Sequence, residues 1–247
     1  MNFGAELNIC ALKAPTSQSP ETILNSYSSK MNIHYLSQNN SILNHFLAQI
    51  RDVNIQKDSM RFRKNMERIG EIMAYELSKT LDYKAFDIQT PLGIKTTTTI
   101  TDGVVLCSIL RAGLALHTGF MNFFDDAENG FVSAFRQHHN NNDAFEIKVE
   151  YQAAPSFDCK NFILIDPMLA TGQSMVAVFN KLIAGAIPKE IHIAVVIATP
   201  EGIMYLKKNL PENCHLWVAA LDEKLNEKNY IIPGLGDAGD LAYGDKL

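Results

Sequence analysis

The early part of the chain places its apolar residues at helical spacing. Between residues 41 and 81 they return every three or four positions, which predicts two helices that each bury one face. The apolar face of the longer helix consists of Phe62, Met66, Ile69, Met73 and Leu77. The segments FDIQT and IKTTTTI follow, and their β-branched residues and the Pro91-Leu92-Gly93 turn between them predict a β-hairpin.

Beyond residue 100 the pattern changes to short, nearly continuous apolar runs separated by helical segments. Strands are predicted at 104–110, 131–135, 147–151, 162–165, 191–198 and 215–221, and helices at 112–123, 172–185 and 200–209. This alternation is typical of an α/β fold with a largely parallel sheet and helices on both faces. The N-terminal helices and the hairpin would be additions to it. In such sheets ligands bind beyond the carboxyl ends of the strands, so we expect the site there.

Composition and charge narrow the class of protein. The 247 residues are 47% hydrophobic and 20% charged, an ordinary globular balance with enough apolar material for a core. The net charge of −5 argues against nucleic acid as the main partner, because such partners favour a clustered basic surface. No apolar run approaches the roughly 20 residues that span a bilayer, and no basic start precedes an apolar block. Neither a membrane partner nor a secretory signal is therefore predicted.

The cysteines and the N-terminal segment bear on location and domain organisation. The cysteines are Cys10, Cys107, Cys159 and Cys214. They lack C-x-x-C spacing, which favours reduced thiols over a disulfide frame or a zinc site, and we expect a cytoplasmic protein. Residues 1–30 are polar and serine-rich without a sustained period, so we treat them as an extension of unknown role and residues 31–247 as a single domain.

The first candidate site follows the apolar run FILI. Asp166 stands where this strand leaves the core, so its carboxylate would point into the crevice. The turn at 170–174 comes next and opens a helix. Its backbone N–H groups, the helix dipole and the hydroxyls of Thr171 and Ser174 make an anion site suited to a phosphate monoester. A plain helix cap by threonine or serine is the alternative interpretation.

The second candidate is Arg111, at the end of the strand VVLCSIL. Its planar guanidinium presents a fork of donors that matches phosphate oxygens, and the small residues Ala112 and Gly113 let the backbone approach a ligand. An ion pair with a surface carboxylate is the alternative.

The third candidate is the segment YIIPGLGDAGDLAYG at 230–244. Its five glycines or prolines and two acids argue against a helix or an ordinary strand. The interleaved apolar residues argue against a disordered tail. We expect a rigid loop that holds its N–H and C=O groups in fixed directions.

These three segments resemble motifs of the uracil phosphoribosyltransferases, which are type I phosphoribosyltransferases. DPMLATG at 166–172 is similar to that family's phosphoribosyl pyrophosphate loop, LRAGL at 110–114 to its pyrophosphate loop, and 230–240 to its uracil-binding loop. The likeness covers about residues 45–247 and includes TPEG at 199–202. It implies the type I phosphoribosyltransferase fold. It also implies transfer of the phosphoribosyl group from phosphoribosyl pyrophosphate to uracil, giving UMP and pyrophosphate.

The resemblance implies a role for each matching residue. The residues that would bind the donor are Arg111, Arg136, Asp166, Pro167, Met168, Leu169, Ala170, Thr171, Gly172, Gln173, Ser174 and Asp237. Those that would bind uracil are Met168, Ala170, Tyr230, Ile231, Gly236, Asp237 and Ala238. Three would be catalytic: Arg111 neutralises the leaving pyrophosphate, Asp166 orients the ribose and favours its cationic character, and Asp237 assists at the base.

The resemblance also implies a cofactor and an assembly. A magnesium ion held through the donor's phosphates, without a direct protein ligand, would bridge phosphate oxygens. The substrates would be the two small molecules, uracil and phosphoribosyl pyrophosphate. A homodimer or a larger homo-oligomer is expected, with the hairpin at 86–100 as a contact.

The chain departs from the family pattern at two places. Gln173 stands where the uracil enzymes usually have glycine. The segment 137–151 has His138, His139 and three asparagines where the family has an acidic stretch with threonine. A metal site at the histidine pair lacks a carboxylate or cysteine at ligand spacing, so a mobile polar loop is the favoured interpretation. These departures motivate an alternative function, a catalytically impaired regulatory paralogue that binds pyrimidine or donor without turnover.

Overall fold

The structure of the protein, a computed structural model, describes residues 31–138 and 145–246. The predicted extension at 1–30 and the tip of the divergent 137–151 segment, with His139, lie outside the described residues. Every helix within those described ranges is too short or too polar to span a bilayer.

The described ranges contain the following helices and strands. The strands are β1 (Asn32–Tyr35), β2 (Tyr83–Thr90), β3 (Gly93–Ile100), β4 (Val104–Leu110), β5 (Glu128–His138), β6 (Phe145–Ala153), β7 (Asn161–Ile165), β8 (Met168–Leu169), β9 (Glu190–Ala198), β10 (His215–Leu221), β11 (Lys224–Leu225) and β12 (Ile231–Ile232). The helices are α1 (Ile42–Arg51), α2 (Ser59–Ser78), α3 (Gly113–Met121), α4 (Gln173–Ile183), α5 (Pro200–Asn209) and α6 (Ala238–Tyr243).

The main sheet runs in the spatial order β1, β10, β9, β7, β4, β5 and β6, with β8 beside β9. Its neighbouring strands pair in parallel, except that β5 and β6 are antiparallel. Helices α1, α2 and α3 cover one face over side chains such as Leu106 and Ile163. Helices α4 and α5 cover the other face over side chains such as Val105 and Leu164. Because β4 and β7 are covered on both faces, their residues can meet a ligand only at the strand ends.

Helices α2 and α3 approach each other closely at two glycines. A Cβ atom on Gly119 would lie 2.1 Å from the carbonyl oxygen of Glu67, and one on Gly70 would lie 2.4 Å from that of Leu116. Larger residues would push the helices apart. The close packing holds α3 on the sheet and so fixes the turn from β4 to α3, which carries Arg111.

The predicted α/β class with a largely parallel sheet is confirmed. The predicted strands at 104–110 and 215–221 agree with β4 and β10 in both bounds. Those predicted at 131–135 and 147–151 belong to the longer strands β5 and β6, so much of the divergent segment is an antiparallel strand pair rather than a loop.

Two expectations from the sequence are wrong. The segment 230–244 contains the short strand β12 and the helix α6, which its composition had argued against. Cys159 is disulfide-bonded, so the expectation of a reduced thiol fails there. Cys107 and Cys214 are free thiols, and burial raises the pKa of each to about 12. Cys10 lies outside the described residues.

Candidate active site

A cavity of about 480 Å³ lies at the carboxyl ends of β4 and β7. It is lined by the segment that follows β4, the segment that follows β7 and the segment around the start of α6. Strands β4 and β7 are neighbours, while β5 lies on the other side of β4, so consecutive connections leave the sheet in opposite directions. This is a topological switch point, the place where open α/β sheets bind their ligands.

The turn between β8 and α4 has the geometry of an anion site. Thr171, Gly172 and Ser174 line the cavity, and α4 begins at Gln173. Gly172 adopts a left-handed backbone with φ of 79°, and a Cβ atom there would lie 2.9 Å from the side chain of Leu206. Glycine is therefore required twice over, for the backbone conformation and for the packing. The N–H groups at the start of a helix lack carbonyl partners within the helix, so the start of α4 favours an anion in the cavity.

Helix α5 holds this turn in place from behind. The buried hydroxyl of Thr199 donates a hydrogen bond of 2.7 Å to the carbonyl oxygen of Ala170 and accepts one of 3.0 Å from the N–H of Gly202. A Cβ atom on Gly202 would lie 2.4 Å from the same carbonyl oxygen. The TPEG segment thus fixes the backbone from which the anion site is built.

Asp166 is the acid of the cavity. It follows the buried strand β7, and its Oδ1 accepts a hydrogen bond of 3.2 Å from the N–H of Met168. Burial raises the pKa of the Asp166 carboxyl to about 7, and the bond from Met168 opposes that shift only in part. A cationic group in the cavity would favour the ionised form.

Arg111 follows β4 after a cis peptide bond with Leu110. Its Nη2 donates a hydrogen bond of 2.8 Å to Asp240 Oδ1, and its Nη1 donates one of 3.1 Å to the carbonyl oxygen of Gly244. The side chain stays partly exposed at the cavity. The arginine therefore joins the segment after β4 to helix α6.

The segment from 229 to 239 forms the third wall. Asn226 organises its start, because its side-chain oxygen accepts a hydrogen bond of 2.9 Å from the N–H of Tyr230. Asp237 caps α6, and its Oδ1 accepts hydrogen bonds of 2.8 Å from the N–H of Gly239 and 3.0 Å from that of Asp240. The side chain of Asp237 is thereby held in one orientation beside the cavity.

Most of the residues predicted for the site lie at this one cavity. Those that line it are Arg111, Asp166, Met168, Leu169, Ala170, Thr171, Gly172, Ser174, Tyr230, Ile231, Gly236, Asp237 and Ala238. Pro167 lies behind the lining, and its carbonyl oxygen accepts hydrogen bonds from the N–H groups of Val196 and Ile197. Gln173 also lies outside the lining, at the first position of α4. The backbone of Arg136 lies in β5 opposite Ile147, and the side chain is outside the described part of the structure.

Other residues of the lining were missed from the sequence. Ser133 and Ala134 line the cavity from β5. Both lie in the strand predicted at 131–135, but the sequence did not show which end of that strand reaches the cavity. Lys246 also lines it, with its Nζ 3.7 Å from Asp237 Oδ2. The pairing of Arg111 with Asp240 had no local signal, because the two residues are 129 positions apart.

Comparisons with known sequences agree on one family. A family model described as "Uracil phosphoribosyltransferase" matches residues 37–245. A uracil phosphoribosyltransferase of Porphyromonas gingivalis is 48% identical over 88% of this chain and 100% of its own length, and one of Thermococcus gammatolerans is 37% identical over 86% of this chain and 94% of its own. The solved structure of the AQ2163 protein from Aquifex aeolicus has a TM-score of 0.76 and 29% identity, over 86% of this chain and 98% of that one.

Proposed function

Since the chain belongs to the uracil phosphoribosyltransferase family, we propose that its cavity transfers the phosphoribosyl group of phosphoribosyl pyrophosphate to uracil, with UMP and pyrophosphate as products. The protein is a pentosyltransferase of pyrimidine salvage. The observation that carries the proposal is the meeting of an anion-binding turn, an arginine and a rigid backbone segment around one cavity.

The sugar donor would occupy the side of the cavity formed by β4 and β7. Its 5′-phosphate fits the N–H groups at 171–174, where the start of α4 favours negative charge. Asp166 stands beside this turn and would meet the ribose hydroxyls. Arg111, with Arg136 as a second cation, would bind the pyrophosphate through a guanidinium fork.

Uracil would occupy the side formed by the segment before α6. The backbone of 236–238 and of Ile231 would meet the two carbonyls and the N–H of the base, while Met168, Ala170 and Tyr230 contact the ring. Fixed backbone groups discriminate strongly between bases, because the wrong base leaves buried polar groups unpaired.

The chemistry is electrostatic and positional. As the bond at the anomeric carbon breaks, positive charge grows on the ribose and negative charge on the pyrophosphate. The ionised carboxylate of Asp166 would stabilise the first and Arg111 the second, while both substrates are held at reacting distance. Asp237 would assist at the base through its position between the uracil and donor sides.

A magnesium ion fits the donor set of the cavity. Asp166 and Asp237 supply the hard oxygen atoms that this ion prefers. Within 31–138 and 145–246 no three metal-ligating side chains form a cage, so the donor's own oxygens would be its main ligands and the two aspartates would hold its water shell. When bound, the ion neutralises charge on the pyrophosphate.

The alternative of an impaired regulatory paralogue finds less support. Gln173 and the divergent segment 137–151 motivated it. The side chain of Gln173 lies outside the cavity lining, and the side chains of 137–148 lie outside the described part of the structure. Asp166, Arg111 and the glycine of the anion-binding turn all stand at the cavity. This placement supports turnover over binding alone.

Incubation of the protein with magnesium, uracil and phosphoribosyl pyrophosphate should yield UMP and pyrophosphate in equal amounts. Hypoxanthine and orotate, added in place of uracil, should give no product. Chromatography of the nucleotide and an assay of pyrophosphate measure both. Tight binding of uracil by calorimetry without any turnover would favour the regulatory alternative.

We place the reaction in the cytoplasm. The donor and UMP are phosphorylated anions, and such charged molecules do not cross a bilayer unaided, so the enzyme belongs where they are made and used.

We propose that the protein assembles as a homodimer through the hairpin of β2 and β3. The hairpin forms a separate two-stranded sheet, and Phe86, Leu92 and Ile94 are exposed on it by 57%, 100% and 73%. An isolated two-stranded hairpin is marginally stable in water, so a second copy would supply the missing cover.

Phe86 and Ile88 lie on the same face of the hairpin and are both exposed. The double variant Phe86→Glu with Ile88→Glu should therefore shift the protein from dimer to monomer, because two charges would be forced into the contact. Sedimentation velocity measures the change. Met204→Glu, at an exposed position of α5, is the matched control and should leave the mass unchanged. A wild type that sediments as a monomer contradicts the proposal.

A further inference from the structure

An arginine and an aspartate outside the cavity grip the segment that precedes α6. Arg51 is the last residue of α1, and Asp222 follows β10. Arg51 Nη2 lies 2.6 Å from Asp222 Oδ1, and Arg51 Nη1 lies 2.8 Å from Asp222 Oδ2. The pair therefore has the two parallel bonds of a fork, and the Asp222 carboxylate is buried.

The same pair holds both backbone groups of Gly234. The N–H of Gly234 donates a hydrogen bond of 2.8 Å to Asp222 Oδ2, and its carbonyl oxygen accepts one of 3.0 Å from Arg51 Nη1. Gly234 is buried in the left-handed region at φ of 62°, and a Cβ atom there would lie 2.1 Å from the carbonyl oxygen of Ile231. We call this arrangement of Arg51, Asp222 and Gly234 the backbone clamp.

The backbone clamp is fixed to the body of the protein on both sides. The N–H of Asp222 donates a hydrogen bond of 2.8 Å to the carbonyl oxygen of Ala198, at the end of β9. The carbonyl oxygen of Arg51 accepts one of 3.0 Å from the side chain of Gln56. Neither Arg51 nor Asp222 lines the cavity, so both act on it through the chain they hold.

The clamp lies next to the backbone that faces the cavity. Leu235 follows Gly234 and is buried, and Gly236 then begins the lining at 236–238. A peptide chain transmits a shift at Gly234 directly to these groups. The anion-binding turn and Arg111 belong to other segments, and the hydrogen bonds of the clamp to its surroundings go to Ala198 and Gln56 instead.

We infer that Arg51 and Asp222 are positioning residues for recognition of the base. They set the direction of the N–H and C=O groups at 236–238 without touching the substrate. The inference rests on the proposed function, in which those groups meet uracil. Small displacements of binding groups are costly, and an error near 1 Å can change rates by about 100-fold.

The variants Arg51→Lys and Asp222→Asn test this role by steady-state kinetics. Lysine keeps the charge without the fork, and asparagine keeps the shape without the charge. Each should raise KM for uracil about tenfold, as expected for one charge-assisted hydrogen bond, while KM for the sugar donor changes less than about threefold. Asp102→Asn is the control. It removes an ion pair with Lys189 at the amino ends of β4 and β9, away from the cavity, and should leave KM for uracil unchanged.

The outcomes separate the clamp from the proposed function. An equal rise in both KM values, or the same rise in Asp102→Asn, indicates a general loss of structure and overturns the inference. Amide hydrogen exchange at 231–238, measured without substrates, should be faster in Arg51→Lys than in the wild type. An active wild type with unchanged exchange in that variant rejects the clamp alone, whereas a wild type that makes no UMP rejects the proposed function.

Discussion

Asp166→Asn should lower kcat/KM for the sugar donor by about 10²–10³-fold, the usual cost of removing one group that stabilises charge in the transition state. Asparagine has the size of aspartate and keeps an oxygen for the N–H of Met168, which lies 3.2 Å from Asp166 Oδ1. The loss would therefore come from the missing negative charge beside the cationic ribose. Initial rates at varied donor concentration measure it, and a variant with wild-type kcat/KM would remove Asp166 from the mechanism.

The pH profile gives a second test of the same residue. Because burial raises the pKa of Asp166 to about 7, wild-type kcat/KM should rise with pH through that value as the active ionised form appears. The donor's own phosphates titrate in both proteins, so the informative quantity is the ratio of wild type to variant, which should rise across the same interval.

Stability should change in the opposite sense from activity. A carboxyl whose pKa is higher in the folded than in the unfolded protein favours folding at low pH, and this advantage is lost as pH rises from about 4 to about 7. Asp166→Asn removes this cost, so its free energy of unfolding at pH 8 should equal or exceed that of the wild type. Urea denaturation measures it, and a large fall would mean that the variant loses activity through unfolding.

Arg111→Met should lower kcat/KM for the sugar donor by about 10²–10³-fold, because the developing charge on pyrophosphate loses a fixed cation. Arg111→Lys should lie between methionine and wild type, since lysine keeps the charge but not the fork. Initial rates at varied donor concentration measure both. An unchanged KM and kcat in Arg111→Met would place the pyrophosphate elsewhere.

The matched control for this arginine is its own ion-pair partner. Asp240 accepts from Arg111 Nη2 at 2.8 Å, so a donor must compete with this carboxylate for the guanidinium. Asp240→Asn removes the competing charge and keeps the shape, and KM for the donor should stay the same or fall. A loss as large as that of Arg111→Met would mean that the ion pair itself, and not the arginine's charge, is what the activity needs.

The sequence was informative wherever one physical cause dominated. Strands β4 and β10 were predicted in both bounds because burial on two faces leaves an unbroken apolar run. The turn at 170–174 and the helix start beside it were predicted because glycine and hydroxyl residues occur together there. Such features depend on residues that are neighbours in the sequence, so they can be recognised from one sequence alone.

The failures have tertiary causes. Helix α6 was missed because glycine and proline around it argued against helix. Asp237 caps it locally, and the pairing of Asp240 with Arg111 supports it from a distant part of the chain. The antiparallel direction of β6 was missed because an apolar pattern carries no direction. The backbone clamp joins Arg51 to Asp222 over 171 positions, so no spacing in the sequence could indicate it.

Because the cavity is built from separate segments of the chain, catalysis depends on all of them being folded. Its walls come from two crossover units and from the segment that follows β10, which are far apart along the chain and meet at the carboxyl ends of the strands. Local unfolding of any one of these segments would separate the site residues while the rest of the sheet is still folded. The turnover rate should therefore respond to local unfolding sooner than the secondary-structure content does. A destabilising substitution in a distant helix would lower turnover before it lowers the content of helix and strand.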